Sequence, residues 1–157
     1  MYLGYQNGKI KFYTEQPLDK VFYNLDKVEE TELEYVLDGE EYVLKDKAWE
    51  EKQKQAERER IAKLYLTGAD VERGIYQAKG MDFDDIMAFV MAQPPVGLDV
   101  KALKIELKAN HFYRGNPYVG AVGALLGFTV EQLDKFFEDG NYEHLLPTVE
   151  ENSVVEE

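Results

Sequence analysis

The segment that separates two unlike halves of the chain, residues 47–66, reads KAWEEKQKQAERERIAKLYL. It contains no glycine or proline and consists mainly of strong helix formers, so it predicts one continuous helix. Between Glu50 and Arg60 the only apolar residue is Ala56, which leaves the middle of this helix polar on every side. Such a helix either bridges solvent between two packed bodies or pairs with another chain. A conventional coiled coil is not expected, because strict heptads of apolar residues are absent.

The residues before this helix, 1–46, predict a small antiparallel sheet. Residues 2–14 predict a hairpin, because Asn7-Gly8 separates two strand-like runs and both residues tolerate a positive φ. Residues 33–45 predict a second hairpin around Gly39, and residues 21–25 predict a further strand. A single hairpin is marginal in water, so we expect these strands to form one sheet.

The residues after the charged helix, 67–146, predict a bundle of about five short helices. Each predicted helix follows a residue whose side chain can accept a hydrogen bond from the first turn. These residues are Thr67, Asp82, Asp99, Asn116 and Thr129, and the helices run to about Lys79, Ala92, Phe112, Leu126 and Asp139.

The predicted fold class is therefore α+β. A β-hairpin lobe (1–46) and a helical domain (67–146) are joined by the charged connecting helix (47–66). We expect the acidic tail, residues 147–157, to be flexible.

The composition limits the classes of function. The 157 residues carry a net charge of −13 and contain no cysteine. The negative charge argues against direct nucleic-acid binding and suits a basic protein partner, although a merely solubilising surface is the simpler reading. The absence of cysteine excludes disulfides and thiolate metal sites. Since the longest apolar stretch, residues 119–128, is about half a membrane span, we expect a cytoplasmic protein without membrane contact.

No group of side chains predicts catalysis, a cofactor or a metal ion, so we expect a non-enzymatic protein. The carboxylates at Asp82, Asp84 and Asp85 lack the glycine and distal glutamate of a calcium loop, and acidic residues are common in a first helical turn. His111 and His144 each stand alone. The glycines at 120, 123 and 127 follow no strand, so they predict a buried helix rather than a phosphate loop.

Two groups of charged residues are candidates for partner binding. Lys101, Lys104 and Lys108 form a basic stripe opposite the apolar face of their predicted helix, and an ordinary solvated face is the alternative. The second group is acidic and consists of Glu29, Glu30, Glu32 and Glu34. A helix-turn-helix reading of residues 117–139 is rejected, because its recognition helix would carry four acidic residues and one lysine.

Three stretches together resemble a known class of proteins. They are Trp49-Glu50-Glu51 leading into Ile61-Ala62, then Tyr113-Arg114-Gly115-Asn116-Pro117, and then residues 126–137. Over about residues 40–140 the chain resembles short accessory proteins encoded in the tail modules of phages and prophages. This resemblance implies a structural or assembly role through binding to phage tail proteins, in the cytoplasm of the bacterial host or on the virion. Self-association into a homo-oligomer stays open, and Tyr113 and Arg114 are candidate contact residues.

Phages also encode small acidic inhibitors of host defence, such as anti-CRISPR proteins, and the size and charge of this chain suit one. Under this alternative the acidic group occupies the nucleic-acid channel of a host defence nuclease. The alternative requires the four glutamates to line one contiguous face.

Overall fold

The computed structural model describes residues 1–147 of the chain. These residues form an α+β protein with small antiparallel sheets and six α-helices, which confirms the fold class at this level. The chain divides into two compact units, residues 1–57 and the residues from Arg58 onward. We call them the sheet unit and the helical unit. Most of the predicted acidic tail, from residue 148, lies outside the described residues.

Five strands build the sheet unit: β1 (Tyr2–Gln6), β2 (Lys9–Thr14), β3 (Lys27–Glu30), β4 (Tyr35–Asp38) and β5 (Glu41–Leu44). β1 lies between β2 and β3 in one antiparallel sheet, and β4 pairs with β5 in a second. The expectation of a single sheet is therefore wrong, because the second hairpin meets β2 through side chains, with Tyr13 packed against Tyr35 and Tyr42, rather than through backbone pairing. Both predicted hairpins are confirmed. Asn7 and Gly8 make the first turn with φ of 54° and 77°, the left-handed conformation that a tight hairpin needs.

The strand predicted at residues 21–25 is wrong. Residues 20–24 form a turn, and β3 begins only at Lys27. The Asp19 carboxylate accepts hydrogen bonds from the backbone N–H groups of Val21 (2.9 Å) and Phe22 (3.1 Å), and Asn24 adopts a φ of 52°. These hydrogen bonds between the Asp19 side chain and the backbone two and three residues later favour a turn over the strand that the composition of residues 21–25 predicts.

The charged segment forms α1 (Lys47–Ala62), which has no buried residue, as its polar middle predicted. The Asp46 carboxylate caps it by accepting a hydrogen bond from the N–H of Trp49 (2.9 Å). The helix is four residues shorter than predicted. Residues 65–67 form β6 (Tyr65–Thr67), which pairs with β7 (His111–Tyr113) in a two-stranded ribbon.

The remaining helices are α2 (Gly68–Lys79), α3 (Phe83–Ala92), α4 (Val100–Glu106), α5 (Pro117–Leu125) and α6 (Val130–Asp139), followed by a 3-10 turn (Tyr142–Leu145). The five predicted capping residues all accept a hydrogen bond from the first turn of their helix. The prediction that the fourth helix reaches Phe112 is wrong, because the chain leaves α4 after Glu106 and enters β7. Pairing of β7 with β6 outweighs the helical pattern of this segment.

The helices of this unit enclose a hydrophobic core. Phe136 of α6 is 1% exposed and lies against Gly74 of α2, where a Cβ atom would come within 2.5 Å of its ring. A Cβ atom at Gly123 of α5 would come within 2.5 Å of the Leu133 side chain of α6, so this glycine permits the two helices to pack closely. At Gly120, in contrast, nothing lies within 4 Å of the Cβ position. Among the described residues, no helix has both the length and the apolar character for a membrane crossing.

Candidate interaction surfaces

The three predicted lysines lie together on the helical unit, and we call them the lysine ridge. Lys101 and Lys104 are one turn apart on α4, and Lys108 follows in the turn that closes the helix, where its N–H donates to the Ile105 carbonyl (3.1 Å). All three are exposed, while Leu103 on the opposite side is fully buried. Within residues 1–147 none of them forms an ion pair. The ridge therefore presents three exposed positive charges that pair with no acidic side chain of the described residues.

The outer face of the ribbon carries an exposed aromatic cluster, which consists of Tyr65, His111 and Tyr113. Tyr65 and Tyr113 lie opposite each other in register, with ring centroids 5.7 Å apart, and the His111 ring meets Tyr65 edge-on at 5.4 Å. Tyr65 and Tyr113 are more than half exposed. Leu66 and Phe112, which alternate with them, pack against the core. The ribbon thus fixes two tyrosines and a histidine on the surface.

The lysine ridge and the aromatic cluster are neighbours. Three residue steps separate Lys108 from His111, so their Cα atoms are at most about 11 Å apart. The intervening segment is held against the start of α2, because the N–H of Gly68 donates to the Asn110 carbonyl (2.8 Å). A Cβ atom at Gly68 would lie 2.8 Å from the Ala109 carbonyl oxygen, so this approach requires glycine. The Lys108 end of the ridge therefore lies close to the His111 end of the aromatic cluster.

Arg114, the other candidate from the same stretch as Tyr113, is used inside the helical unit. Its Nε donates to Oδ1 of Asp134 on α6 at 2.7 Å, and the two side chains are only 13% and 27% exposed. Its backbone N–H donates to the Leu64 carbonyl (2.8 Å). Arg114 therefore anchors the ribbon to α6, and Tyr113 is the member of this pair that is exposed.

The four candidate glutamates lie in and just after β3, and all are exposed. Glu29 and Glu30 are consecutive strand residues, so their side chains lie on opposite faces of the sheet. Glu34 approaches Lys45, with 3.9 Å between the carboxylate and the ammonium. The inhibitor alternative stays a prediction, and replacing all four with glutamine in an inhibition assay tests it.

Glu29 is also the centre of a small polar cluster on β1 and β3. Its carboxylate accepts a hydrogen bond from the Tyr5 hydroxyl (3.0 Å) and pairs with Nζ of Lys27 (3.2 Å). Lys27 and then Tyr5 lower the pKa of Glu29 below its usual value. Desolvation raises the pKa of Tyr5, and the hydrogen bond to Glu29 adds to this shift. Both groups are thus held in their ordinary charge states at neutral pH.

The other titratable candidates have structural partners. Asp82 and Asp85 form a capping box at the start of α3, in which each carboxylate accepts a backbone N–H of the other residue. Nε2 of His144 lies 2.9 Å from Oδ2 of Asp139 at the end of α6. The part of the chain that the structure describes contains no group of three or more acidic or histidine side chains arranged to hold a metal ion.

The aromatic cluster is the feature that the sequence prediction missed. The predicted helices covered Tyr65 and Leu66 of one strand and His111 and Phe112 of the other, so the pairing that brings Tyr65, His111 and Tyr113 together was not predicted. A signal was present, because Tyr-Leu-Thr at 65–67 and His-Phe-Tyr at 111–113 both alternate between outward and core-facing residues.

Comparison with known proteins gave no match to any protein-family model, any curated protein or any solved structure. The resemblance to tail accessory proteins stays a prediction.

Proposed function

We propose that the protein is a non-enzymatic phage or prophage protein that binds an acidic surface of another tail-module protein during tail assembly. The observation that carries this proposal is the lysine ridge beside the aromatic cluster, on a protein whose net charge is −13. The resemblance over residues 40–140 supplies the tail-module context.

The chemistry of this surface suits protein recognition. Tyrosine is enriched at the centres of protein interfaces, because it buries a large rigid area and still offers a hydroxyl group. Charged residues around such a centre steer the approach of a partner of opposite sign. The exposed tyrosines supply the first component, and the ridge supplies the second. Three lysines are too few for general binding of nucleic acid by a strongly acidic protein.

The proposal includes a spacer role for α1. The N-terminal sheet lobe and the C-terminal bundle of about five short helices then act as two binding bodies, and α1 is the segment between them. The lack of any buried residue in α1 supports this role, because a solvent-bridging helix needs no apolar face.

Co-purification with the tail proteins encoded by neighbouring genes tests the proposal. We expect one of these proteins to form a complex that survives gel filtration. Lys101→Glu, Lys104→Glu and Lys108→Glu combined should weaken this complex at least about tenfold, and so should Tyr65→Ala with Tyr113→Ala. The matched control reverses three exposed lysines of the sheet unit, Lys9, Lys20 and Lys47, and should leave the affinity unchanged.

Two results would overturn the proposal. One is the absence of a complex with every neighbouring tail protein. The other is a complex that the ridge variant leaves intact and the control variant abolishes. A labelled single-stranded oligonucleotide serves as a separate probe, and its binding to the wild-type protein through the ridge would replace the protein partner with nucleic acid.

A further inference from the structure

The exposed side of α4 carries an apolar residue among its positive charges. Ile105 is 71% exposed and lies about one helical turn from both Lys101 and Lys108. Residues spaced at i, i+3, i+4 and i+7 share one side of a helix, so Ile105 joins the three lysines of the ridge in one stripe. We call these four residues the α4 stripe. A ligand that fits this stripe combines negative charges with a small apolar group.

The acidic residues next to the stripe in the sequence have other partners. The Asp99 carboxylate caps α4 by accepting the N–H of Ala102 (3.1 Å), and the Glu106 carboxylate accepts a hydrogen bond from the side-chain amide of Asn116 (3.1 Å). No carboxylate within residues 1–147 forms an ion pair with the three lysines. A carboxylate of this chain that pairs with these lysines therefore comes from outside the described residues.

Most other basic side chains of the helical unit already have a partner. Nζ of Lys79 lies 5.4 Å from the ring centroid of Phe128. Further basic residues belong to ion pairs, which are Arg60 with Glu138, Arg73 with Asp70, Arg114 with Asp134, and Lys135 with Glu131. The α4 stripe is therefore the main group of lysines that the described part of this unit offers to a carboxylate-rich segment.

The sequence of residues 148–157, TVEENSVVEE, is complementary to the stripe. We call these residues the acidic segment. They include four glutamates and three valines and no basic residue. A pair of glutamates directly follows a valine at Glu150 and again at Glu156. The segment therefore offers carboxylates to the lysines and small apolar side chains to Ile105, which are the two components that the stripe requires.

The acidic segment starts close enough to reach the stripe. Just before it, Leu145 is 2% exposed and lines the same apolar cavity of the core as Leu103 on the buried side of α4. The Gln132 side chain holds the next residue in place by donating to the Leu146 carbonyl (3.0 Å). Ten extended residues span up to about 35 Å, whereas a helix with its side chains is only about 10–12 Å across. The segment is therefore long enough to pass around α4 to its exposed side.

We propose that the acidic segment binds the α4 stripe of its own molecule and covers the lysine ridge until a partner displaces it. Its glutamates pair with the lysines, and a valine side chain packs on Ile105. Each exposed ion pair is weak, but a short tether gives the segment an effective concentration in the millimolar range. The regulatory consequence rests on the proposed function, because an acidic surface of a tail-module protein then competes with the segment for the same three lysines.

A nitroxide label on the acidic segment tests the contact without any partner. The chain contains no cysteine, so Ser153→Cys creates a single attachment site. We expect the nitroxide to broaden the amide resonances of residues 101–108. Salt at about 1 M should remove most of this broadening, because the Debye length falls to about 3 Å. Reversal of the ridge lysines to glutamate should remove it as well, whereas reversal of the control lysines Lys9, Lys20 and Lys47 should leave it unchanged.

A binding measurement tests whether the segment covers the ridge. The probe is a fluorescent peptide with the sequence of residues 148–157. Replacement of the four glutamates of the segment with glutamine in the protein should raise its affinity for the peptide about tenfold, because the tethered competitor is lost. The matched control neutralises four exposed carboxylates of the sheet unit and should bind like the wild-type protein. Its substitutions are Glu15→Gln, Asp38→Asn, Glu40→Gln and Glu50→Gln.

Broadening that is absent from residues 101–108, or that survives reversal of the ridge, would overturn the proposal. Equal peptide affinities of the wild-type protein and the glutamine variant would also overturn it. A mixture of nitroxide-labelled protein with isotope-labelled protein that lacks the nitroxide distinguishes the remaining case, because broadening in this mixture assigns the segment to the ridge of a second copy. None of these measurements contains a tail protein. Their failure therefore leaves the co-purification test unaffected, and a failed co-purification leaves the contact of the segment with the stripe in place.

Discussion

The folded structures of the two units are stabilised by different interactions. Of the fourteen hydrophobic side chains that are buried within the described residues, twelve form the core of the helical unit and only Leu3 and Leu25 belong to the sheet unit. Burial of apolar surface is the dominant favourable term in folding. Burial of apolar side chains therefore stabilises the helical unit, whereas the sheet unit depends more on its backbone pairing and on contacts near its surface.

Tyrosines supply many of these surface contacts in the sheet unit. The ring of Tyr13 lies 5.5 Å from Tyr35 and 5.9 Å from Tyr42, and its hydroxyl donates to the Leu33 carbonyl (3.0 Å). Each such contact contributes roughly 0.5–1.5 kcal/mol, which is less than a fully buried large side chain provides. A unit built in this way has little stability to spare.

The largest expected effects come from truncating one buried side chain in each unit. Phe136→Ala should lower the free energy of unfolding of the helical unit by about 3–5 kcal/mol, and Leu3→Ala costs about 2–5 kcal/mol. Since Leu3 is half of the buried set in its unit, we expect Leu3→Ala to leave β1, β2 and β3 unfolded at 25 °C. The amide resonances of each unit, followed in urea, measure both effects. A sheet unit that tolerates Leu3→Ala would show that its stability has another source.

A smaller effect should come from filling the contact between α2 and α6. Gly74→Ala places a methyl group within 2.5 Å of the buried Phe136 ring, and we expect a net loss of about 1–2 kcal/mol after the gain in helix propensity. Gly120→Ala on α5 is the matched control, because nothing lies within 4 Å of its Cβ position. The control should be neutral or stabilising in urea unfolding. Equal losses at both glycines would contradict the packing described here.

Substitution of Arg114 tests how strongly its bond to Asp134 anchors the ribbon to α6. Arg114→Ala should cost about 1–3 kcal/mol, because it removes a short charged hydrogen bond and leaves Asp134 largely covered. Lys135→Ala breaks the pair with Glu131 on the same helix (2.9 Å), but both of those side chains are more than half exposed. Its cost should stay below about 0.5 kcal/mol. Thermal unfolding of the two variants compares them, and a Lys135 effect as large as that of Arg114 would argue against a special role for Arg114.

The smallest expected effect is a loss of folding stability at acid pH in both units. Lys27 and Tyr5 lower the pKa of Glu29, while His144 and the N–H of Asn141 lower the pKa of Asp139. A carboxyl group whose pKa is lowered by folding stabilises the folded state above its unfolded pKa, near about 4. This contribution is lost as the pH falls through the lower folded pKa. Glu29→Gln and Asp139→Asn should each flatten the stability profile of their own unit below about pH 4.

Carboxyl chemical shifts measured during an acid titration provide the check. Folded pKa values for Glu29 and Asp139 at or above those of model peptides would show that these two carboxylates do not stabilise the folded units.

Local signals in the sequence predicted most of the helical unit. The capping residues Thr67, Asp82, Asp99, Asn116 and Thr129 mark the starts of five helices correctly, because a cap depends only on neighbouring backbone groups. The same is true of the hairpin at Asn7-Gly8. These features need no knowledge of distant contacts.

The ribbon could not be predicted in this way. β6 and β7 lie more than forty residues apart in the sequence, and each is only three residues long, so their pairing is decided by tertiary contact. Predicted helices therefore covered two of the three residues in each strand, and the aromatic cluster was not predicted, although Tyr113 alone was a candidate contact residue. The lysine ridge was predicted because a helical stripe is a local pattern, while its position beside Tyr65 depends on the fold.

Native-state hydrogen exchange tests the contrast between the two units most directly. We expect the slowest amides to lie in the core-facing parts of α2, α5 and α6, with opening free energies close to that of global unfolding. Amides of β1, β2 and β3 should exchange through openings of clearly lower free energy. Equal protection in the strands and in the core helices would contradict the conclusion that buried side chains in the helical unit carry most of the stability.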